Sequence, residues 1–444
     1  MEDNAAEPID TEHYLRAVAD LGDKRVVMAE GAIYSASGIK LVEKGVPIDS
    51  RLYERLVQHK LREPIDSQLT VEGAVDAAGL QAAARALLAD APLPRLLASG
   101  LKSPDVLAAP LGRLRLPRPM AFKLTLMREQ QPDLFQHSLE MTLVALFLGM
   151  RSELRPEVLD AVASAALLHD IGMLHMHPAW RDPQYRLTGL ERTHLVAHPI
   201  TSMLMVRNCQ SYPREVETAV LEHHERHDGS GYPRGLQGAA ISPLGKILLL
   251  AVVVAALFHK HKRAPAQKLS LVLRLKHRMF DATLVGYLMP LLREDALRQS
   301  VNRPAALVYQ YGELLASAVE KWSALKMTIP ATEFADGANG PARLLDSRLQ
   351  ALVRSLTEAG NQPGGHAQLV QSLGDDAEGL AELGLIGREA LWELQSIVNA
   401  CQRRWPDLAD NPRAGSGDEA VAEWCEWMQD QLPPMQQASI VQPL

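Results

Sequence analysis

His223 and His224 stand side by side in Glu222-His223-His224-Glu225, and upstream a second pair, His169-Asp170, precedes Ile171-Gly172. With His137 and His198 they make a set of six potential ligands, five imidazoles and one carboxylate. That mixture suits zinc, manganese, iron or nickel and does not choose among them. Neighbouring helical residues differ by about 100°, so His223 and His224 cannot share a helix face. They can grip one ion only where a helix end lies against it. Two metals sharing a carboxylate such as Asp170 would sit roughly 3.5–4 Å apart with a hydroxide between them, the arrangement that attacks a phosphodiester in line. Taken singly each histidine reads as an ordinary core or surface residue; the grouping points to metal. Directly after His223-His224, four glycines and one proline fall between Asp228 and Gly238. They give the backbone conformations closed to other residues, so Gly231-Tyr232-Pro233-Arg234-Gly235 is expected to form a tight, fixed loop.

Helices must position these groups. Asp133 can cap a helix that puts His137, Met141, Val144 and Leu148 on one face, and Val158 to Ile171 is a second apolar helix ending at His169-Asp170. Pro199 suits a first helical turn and places His198 at a helix start. Arg214 to His224, a buried helix over Ile241 to Phe258, and Leu284 to Leu292 continue the array. Upstream, a short helix over Tyr14 to Leu21 leads to β-prone runs Val26-Val27-Met28, Ile33-Tyr34 and Lys40-Leu41-Val42, separated by Gly31, Gly38 and Gly45, which suggest hairpins. Ser50 caps an amphipathic stretch, and Val71 to Leu101 has a helical composition. Prolines 104, 110, 117 and 119 place a boundary near 115. Beyond about 325, Ala335 to Pro341, Gly360 to Gly365 and Asp407 to Asp418 are expected loops around helices at Arg343 to Thr357 and Arg388 to Cys401.

Residues from about 133 to 292 resemble an HD-GYP domain, the branch of the HD metal-dependent phosphohydrolases that includes cyclic di-GMP phosphodiesterases. The matching residues are His137, His169-Asp170-Ile171-Gly172, His198-Pro199, His223-His224-Glu225 and Asp228-Gly229-Ser230-Gly231-Tyr232-Pro233, continued by Gly235-Leu236, Gly238, Ile241 and Phe280-Asp281. The resemblance implies an all-helical HD-type bundle for the part it covers, so the chain as a whole is expected to be mainly α, with a small β-containing N-terminal module and a helical C-terminal region read from their own patterns. Residues 1–115 would be a sensory or docking module or a plain structural cap, 116–325 the HD-GYP domain and 326–444 the C-terminal helices with linkers. It implies metal ligands His137, His169, Asp170, His198, His223 and His224, with His169 and Asp170 as the catalytic pair. Asp228, Gly229, Gly231, Tyr232 and Pro233 would form a substrate or partner loop, and one or two divalent transition metal ions, iron or manganese, would be bound. Three positions depart from the family pattern. Val252 stands where a closing aspartate is usual, Met173 where a phosphate-facing lysine is usual, and Asp133 where a longer glutamate is usual. The set Asp170, His198, His223 and His224 is complete, whereas His137, His169 and Asp170 lack a fourth member. Two functions follow as alternatives: a phosphodiesterase of reduced or lost activity, or a degenerate module that binds metal, nucleotide or protein. His175, His177, His194, His227, His259 and His261 have no place in the pattern and are expected at the surface or in loops. Family members usually carry Arg and Lys after the closing aspartate; Lys260, Lys262 and Arg263 lie near that position but not in clear register with it.

Composition bounds the partners. With 46 basic against 53 acidic residues and a net charge of −7, no global nucleic-acid footprint exists, so DNA is not an expected partner. The resemblance implies cyclic di-GMP or a related nucleotide and a diguanylate cyclase domain protein as partners, and a second copy of this chain is a further expected partner. Three widely spaced cysteines form neither a disulfide framework nor a zinc pattern. The start is acidic, without the basic-then-apolar pattern of a signal peptide. The longest apolar run, Ile247 to Phe258, is shorter than the roughly 18 residues of a membrane span. A soluble cytoplasmic protein is expected.

Overall fold

The computed structural model describes residues 11–182, 185, 187–260, 265–298, 305–335, 340–358, 361–362, 364–374, 376–405, 408 and 417–431. His261, Lys262 and Arg263, the acidic start and parts of the three expected C-terminal loops lie outside them. The described residues form two compact units, one within 11–265 and 278–291, the other within 266–277 and 292–431.

The first unit opens with α1 (Glu12–Gly22), whose cap Thr11 accepts from the Tyr14 N–H. Strands β1 (Val27–Ala29), β2 (Ile33–Tyr34) and β3 (Lys40–Val42) lie where the sequence puts them. β2 and β3 pair antiparallel, but β1 pairs with β4 (Leu69–Val71), with Val27 opposite Val71. The helical reading from Val71 onward missed β4, because a three-residue strand is recruited by a distant partner rather than by local pattern. Between them lies α2 (Ser50–Val57), capped by Asp49, whose carboxylate accepts from Arg51 N–H at 3.0 Å, and not by Ser50. Aspartate and serine are equally good caps, and here the aspartate stands one residue earlier. Helices α3 (Ala77–Asp90), α4 (Pro92–Ser99), α5 (Asp105–Ala108) and α6 (Arg118–Gln130) follow.

α7 (Pro132–Arg151), α8 (Pro156–Leu168), α9 (Gly189–Val196), α10 (His198–Asn208), α11 (Arg214–Glu222) and α12 (Pro243–Lys260) build the bundle. α7 starts at Pro132, so Asp133 lies inside its first turn instead of capping it; a carboxylate there still complements the helix dipole. From Leu139 to Gly149 every residue of α7 is buried, as is nearly all of α12, the mark of central helices. α7 packs on α8 and α12, and α11 on α10 and α12. Two stretches, Pro156–His175 and Pro243–Lys260, are long and apolar enough to cross a membrane, yet 78% and 72% of their apolar windows are buried inside the protein. Their composition is accounted for by the core.

α13 (Pro265–Leu275) lies almost wholly in the second unit, and α14 (Ala282–Arg298) belongs to the first unit as far as Leu291; α15 (Ala305–Lys326), α16 (Pro341–Glu358), α17 (His366–Leu373), α18 (Ala377–Arg404) and α19 (Gly417–Gln431) make up the rest of the second unit. Its core gathers Leu315, Trp322, Leu349, Leu394, Val398 and Trp424. The two tryptophans satisfy their indole N–H groups, Trp322 on Asp346 Oδ1 at 3.0 Å and Trp424 on Ala318 O at 2.9 Å. All three cysteines are free.

One polar network in the first unit ties its N-terminal elements to the bundle. Lys123 of α6 forms an ion pair with Asp66, and Tyr14 of α1 donates to Asp66 Oδ2 at 2.8 Å; all three residues are buried. The Tyr14 ring stacks on His175 with centroids 4.1 Å apart, and Thr11 Oγ1 donates to His175 O at 3.0 Å. His175, expected at the surface, is therefore only 9% exposed. It ends the 3-10 turn Ile171–His175 that begins immediately after Asp170. Removing one partner of a buried ion pair strands the other charge. Lys123→Met should therefore lower the unfolding free energy in urea by roughly 3–5 kcal/mol, and adding Asp66→Leu should recover much of it. A change below about 1 kcal/mol for Lys123→Met would contradict this account of the network.

Candidate metal centre

Three histidines are latched in one way. His169 follows α8 and its Nδ1 meets Ala166 O at 2.8 Å; His223 follows α11 and its Nδ1 meets Val220 O at 2.6 Å. His198 opens α10, and its Nδ1 meets Leu195 O, near the end of α9, at 2.7 Å. Each carbonyl lies in the last turn of its helix, where it has no intrahelical donor. A carbonyl only accepts, so each Nδ1 carries a proton and each ring turns its Nε2 the other way.

Those lone pairs converge. His169 Nε2 lies 3.1 Å from Asp170 Oδ2, and His198 Nε2 and His223 Nε2 lie 3.1 and 3.6 Å from Asp170 Oδ1. His198 Nε2 and His223 Nε2 are 3.2 Å apart. His224 joins this group: one ligand atom from each of Asp170, His198, His223 and His224 fits within 4.8 Å of all the others, and so do His137, His169 and Asp170. Acceptors thus face acceptors unless each ring takes a second proton. Burial, with the neighbouring imidazoles, lowers His137 and His223 to about 4 and His224 well below its ordinary value, so these rings stay neutral near pH 7. Burial alone would raise Asp170, but the surrounding imidazoles hold its carboxyl well below the usual range. His169 Nε2 and Asp170 Oδ1 are buried without a hydrogen-bond donor. A divalent cation is what such a convergence of imidazole nitrogens and a carboxylate fits, and the C-terminal ends of α8 and α11 add negative potential there.

The glycine-rich loop is held from below by two buried glutamates. Glu225 accepts from the N–H groups of Arg234 at 2.7 Å and Leu236 at 2.8 Å, while Glu222 accepts from Ser242 N–H at 2.8 Å and pairs with the Arg234 guanidinium. Tyr232 N–H donates to His224 O at 3.0 Å, and the Tyr232 ring stacks on the His224 imidazole, centroids 4.8 Å apart. A Cβ at Gly231 would run into the backbone of Glu225 and Arg226, so only glycine allows this approach. Gly172 is likewise pressed against the backbone of His198 and Ser202, and its N–H donates to Ser202 Oγ at 2.9 Å. His227, without a place in the sequence pattern, pins the loop: its O accepts from Gly238 N–H and its N–H reaches Met279 O. Asp228 accepts from the Ser230 N–H and hydroxyl at the exposed rim.

The three departures have distinct surroundings. Val252 is buried on α12, 5% exposed. Gly245 and His259 lie seven residues to either side, close to one line along the helix. Gly245 abuts the Glu222 carboxylate, and His259 is within electrostatic reach of His137. The valine is thus on the face of α12 turned toward α11 and α7. Met173 is buried, its N–H bonded to Asp170 O at 2.9 Å. Asp133 acts electrostatically on Arg181, as does Asp170. Arg181 went unnoticed in the sequence; an arginine in a loop between two ligand motifs carries no spacing signal.

The family described as HD domain matches residues 123–284. A 3'3'-cGAMP-specific phosphodiesterase of Vibrio cholerae is 36% identical over 123 residues, 28% of this chain and 28% of that protein. A cyclic di-GMP phosphodiesterase of Pseudomonas aeruginosa is 31% identical over 126 residues, covering 28% of this chain and 30% of its own. The cyclic di-GMP phosphodiesterase response regulator RpfG of Xanthomonas campestris is 30% identical over 154 residues, 34% of this chain and 41% of the relative. The chain spans well under half the length of these curated relatives. In profile the segment 123–284 is an HD domain, and its histidine and Gly-Tyr-Pro motifs are those of the HD-GYP type.

Proposed function

We propose that this chain is a metal-dependent phosphohydrolase that opens cyclic dinucleotides of the cyclic di-GMP type in bacterial second-messenger signalling. The observation that carries the reading is the convergence of Asp170, His198, His223 and His224 on one point, with Asp170 Oδ1 buried and without a hydrogen-bond partner. The relatives named above, cyclic di-GMP and 3'3'-cGAMP phosphodiesterases, supply the substrate class. Asp170, His198, His223 and His224 would hold one ion and His137, His169 and Asp170 would contribute to a second, iron or manganese being the metals proposed. Such an ion supplies Lewis-acid stabilisation of phosphodiester charge and activates water as a nucleophile. The protein's own part is orientation. The Nδ1 latches fix each imidazole tautomer, Tyr232 backs the His224 ring, and buried Glu222 and Glu225 keep the loop seated. The exposed rim of that loop, with Asp228, Ser230 and Arg234, is the surface a diguanylate cyclase domain would meet, and a second copy of this chain is a further proposed partner.

Val252 favours a second reading, a module that binds metal and nucleotide with little or no turnover. A buried valine offers no lone pair, so a second ion would be held by three protein ligands where the first would have four. Purified protein should therefore carry nearer one equivalent of metal than two, and His223→Ala should lose most of it; equal metal in both proteins would contradict the assignment. Val252→Asp should unfold more readily than wild type in chelator, because an unpartnered buried carboxylate costs on the order of several kcal/mol. It should recover on adding manganese, since binding confined to the folded state stabilises it, and its hydrolysis of cyclic di-GMP should rise. A Val252→Asp melting temperature indifferent to manganese would place residue 252 away from the centre.

A further inference from the structure

A phosphodiester brought to this cluster sets negative charge beside Asp170, and a fixed cation is what neutralises it most effectively. Residue 173 does not provide one, being a buried methionine. Arg181 stands on a short built support instead. It ends the 3-10 turn Pro178–Arg181, started by His177, whose Nδ1 accepts from Ala179 N–H at 3.1 Å. Trp180 ties the turn to α9 through Glu191 at 3.3 Å. The Arg181 guanidinium reaches back to the start of α7, where Nη1 donates to Gln131 Oε1 at 2.6 Å. Gln131 is itself fixed, its carbonyl accepting from Leu134 and Phe135 N–H at 3.0 and 3.1 Å. From that point Asp133 and His137 rise four residues apart on one face of α7. The Gln131 bond uses one of the five guanidinium N–H groups. Burial disfavours the charge of Arg181, and Asp170 and Asp133 offset that, while arginine stays protonated throughout the working range.

We propose that Arg181, posted on Gln131 beside the Asp133–His137 face, binds a substrate phosphate and takes the role that Met173 cannot fill. The inference rests on the phosphodiesterase reading and adds the residue that receives the anion. A guanidinium fork suits two phosphate oxygens at once, so recognition should depend on its shape as well as its charge.

The test uses full-length, manganese-loaded wild type, Arg181→Gln, Arg181→Lys and the double variant Arg181→Gln/Met173→Lys. Metal content, binding of cyclic di-GMP and of inorganic phosphate by calorimetry, and steady-state kinetics are measured on each. Metal content should be the same in all four. Arg181→Gln should weaken cyclic di-GMP and phosphate binding roughly tenfold to a hundredfold, the size of a charge-assisted hydrogen bond, and raise KM more than it lowers kcat. Arg181→Lys should fall between, and Met173→Lys should restore part of the loss. Arg181→Gln that binds both probes like wild type overturns the proposal, as does a loss accounted for entirely by lost metal. A wild type inert toward cyclic dinucleotides defeats the phosphodiesterase reading instead, and the phosphate arm still decides whether Arg181 receives an anion.

Discussion

The imidazole N–H to helix-end carbonyl bond is the interaction on which this centre depends. His169, His198 and His223 each make it, at 2.8, 2.7 and 2.6 Å, to the last turns of α8, α9 and α11. The carbonyls used are ones that a helix leaves unpaired, so the latch disrupts no helical hydrogen bond while it fixes tautomer and ring direction together. Ligands far apart in sequence are thereby positioned by where helices stop. Capping, helix length and the packing of α7, α8, α11 and α12 consequently decide the geometry of the cluster more than side-chain packing around the rings does.

The rest of the first unit braces those helix ends. Gly172 lets the turn after Asp170 lie against the start of α10, and Tyr14 stacks on His175 at the far end of that turn. Buried Glu222 and Glu225 flank the two histidines and turn their carboxylates to the loop backbone. A loop held this way supports His224 through Tyr232, which gives the Gly-Tyr-Pro segment a structural role beside any part in recognition. Against that bracing, positions 252 and 173, where the resemblance leads one to expect a carboxylate and a cation, hold a buried valine and a buried methionine.

The cluster of His137, His169, Asp170, His198, His223 and His224 was legible because its chemistry lies in residue types: histidines at helix termini, an aspartate beside one of them, glycines where backbones touch. The helices over α7, α8, α11, α12 and α16 were legible from apolar periodicity, with boundaries shifted by a few residues, while α18 begins at Ala377, well before the expected Arg388. What stayed hidden depends on distant partners. β4 exists because β1 pairs with it, His175 is buried because Tyr14 covers it, and Arg181 matters because Gln131 anchors it beside α7. The cap of α2 was misplaced by one residue since Asp49 and Ser50 are both good caps and only the backbone decides between them.

The most direct test of the central claim is an anomalous-scattering map from a crystal of the full chain grown with manganese. The account predicts a manganese peak at ligand-bond distance from Nε2 of His198 and His223, a nitrogen of His224 and an Asp170 oxygen, with the Nδ1 contacts to Leu195 and Val220 retained. Manganese bound elsewhere, or bound there through Nδ1 with those latches broken, would contradict it.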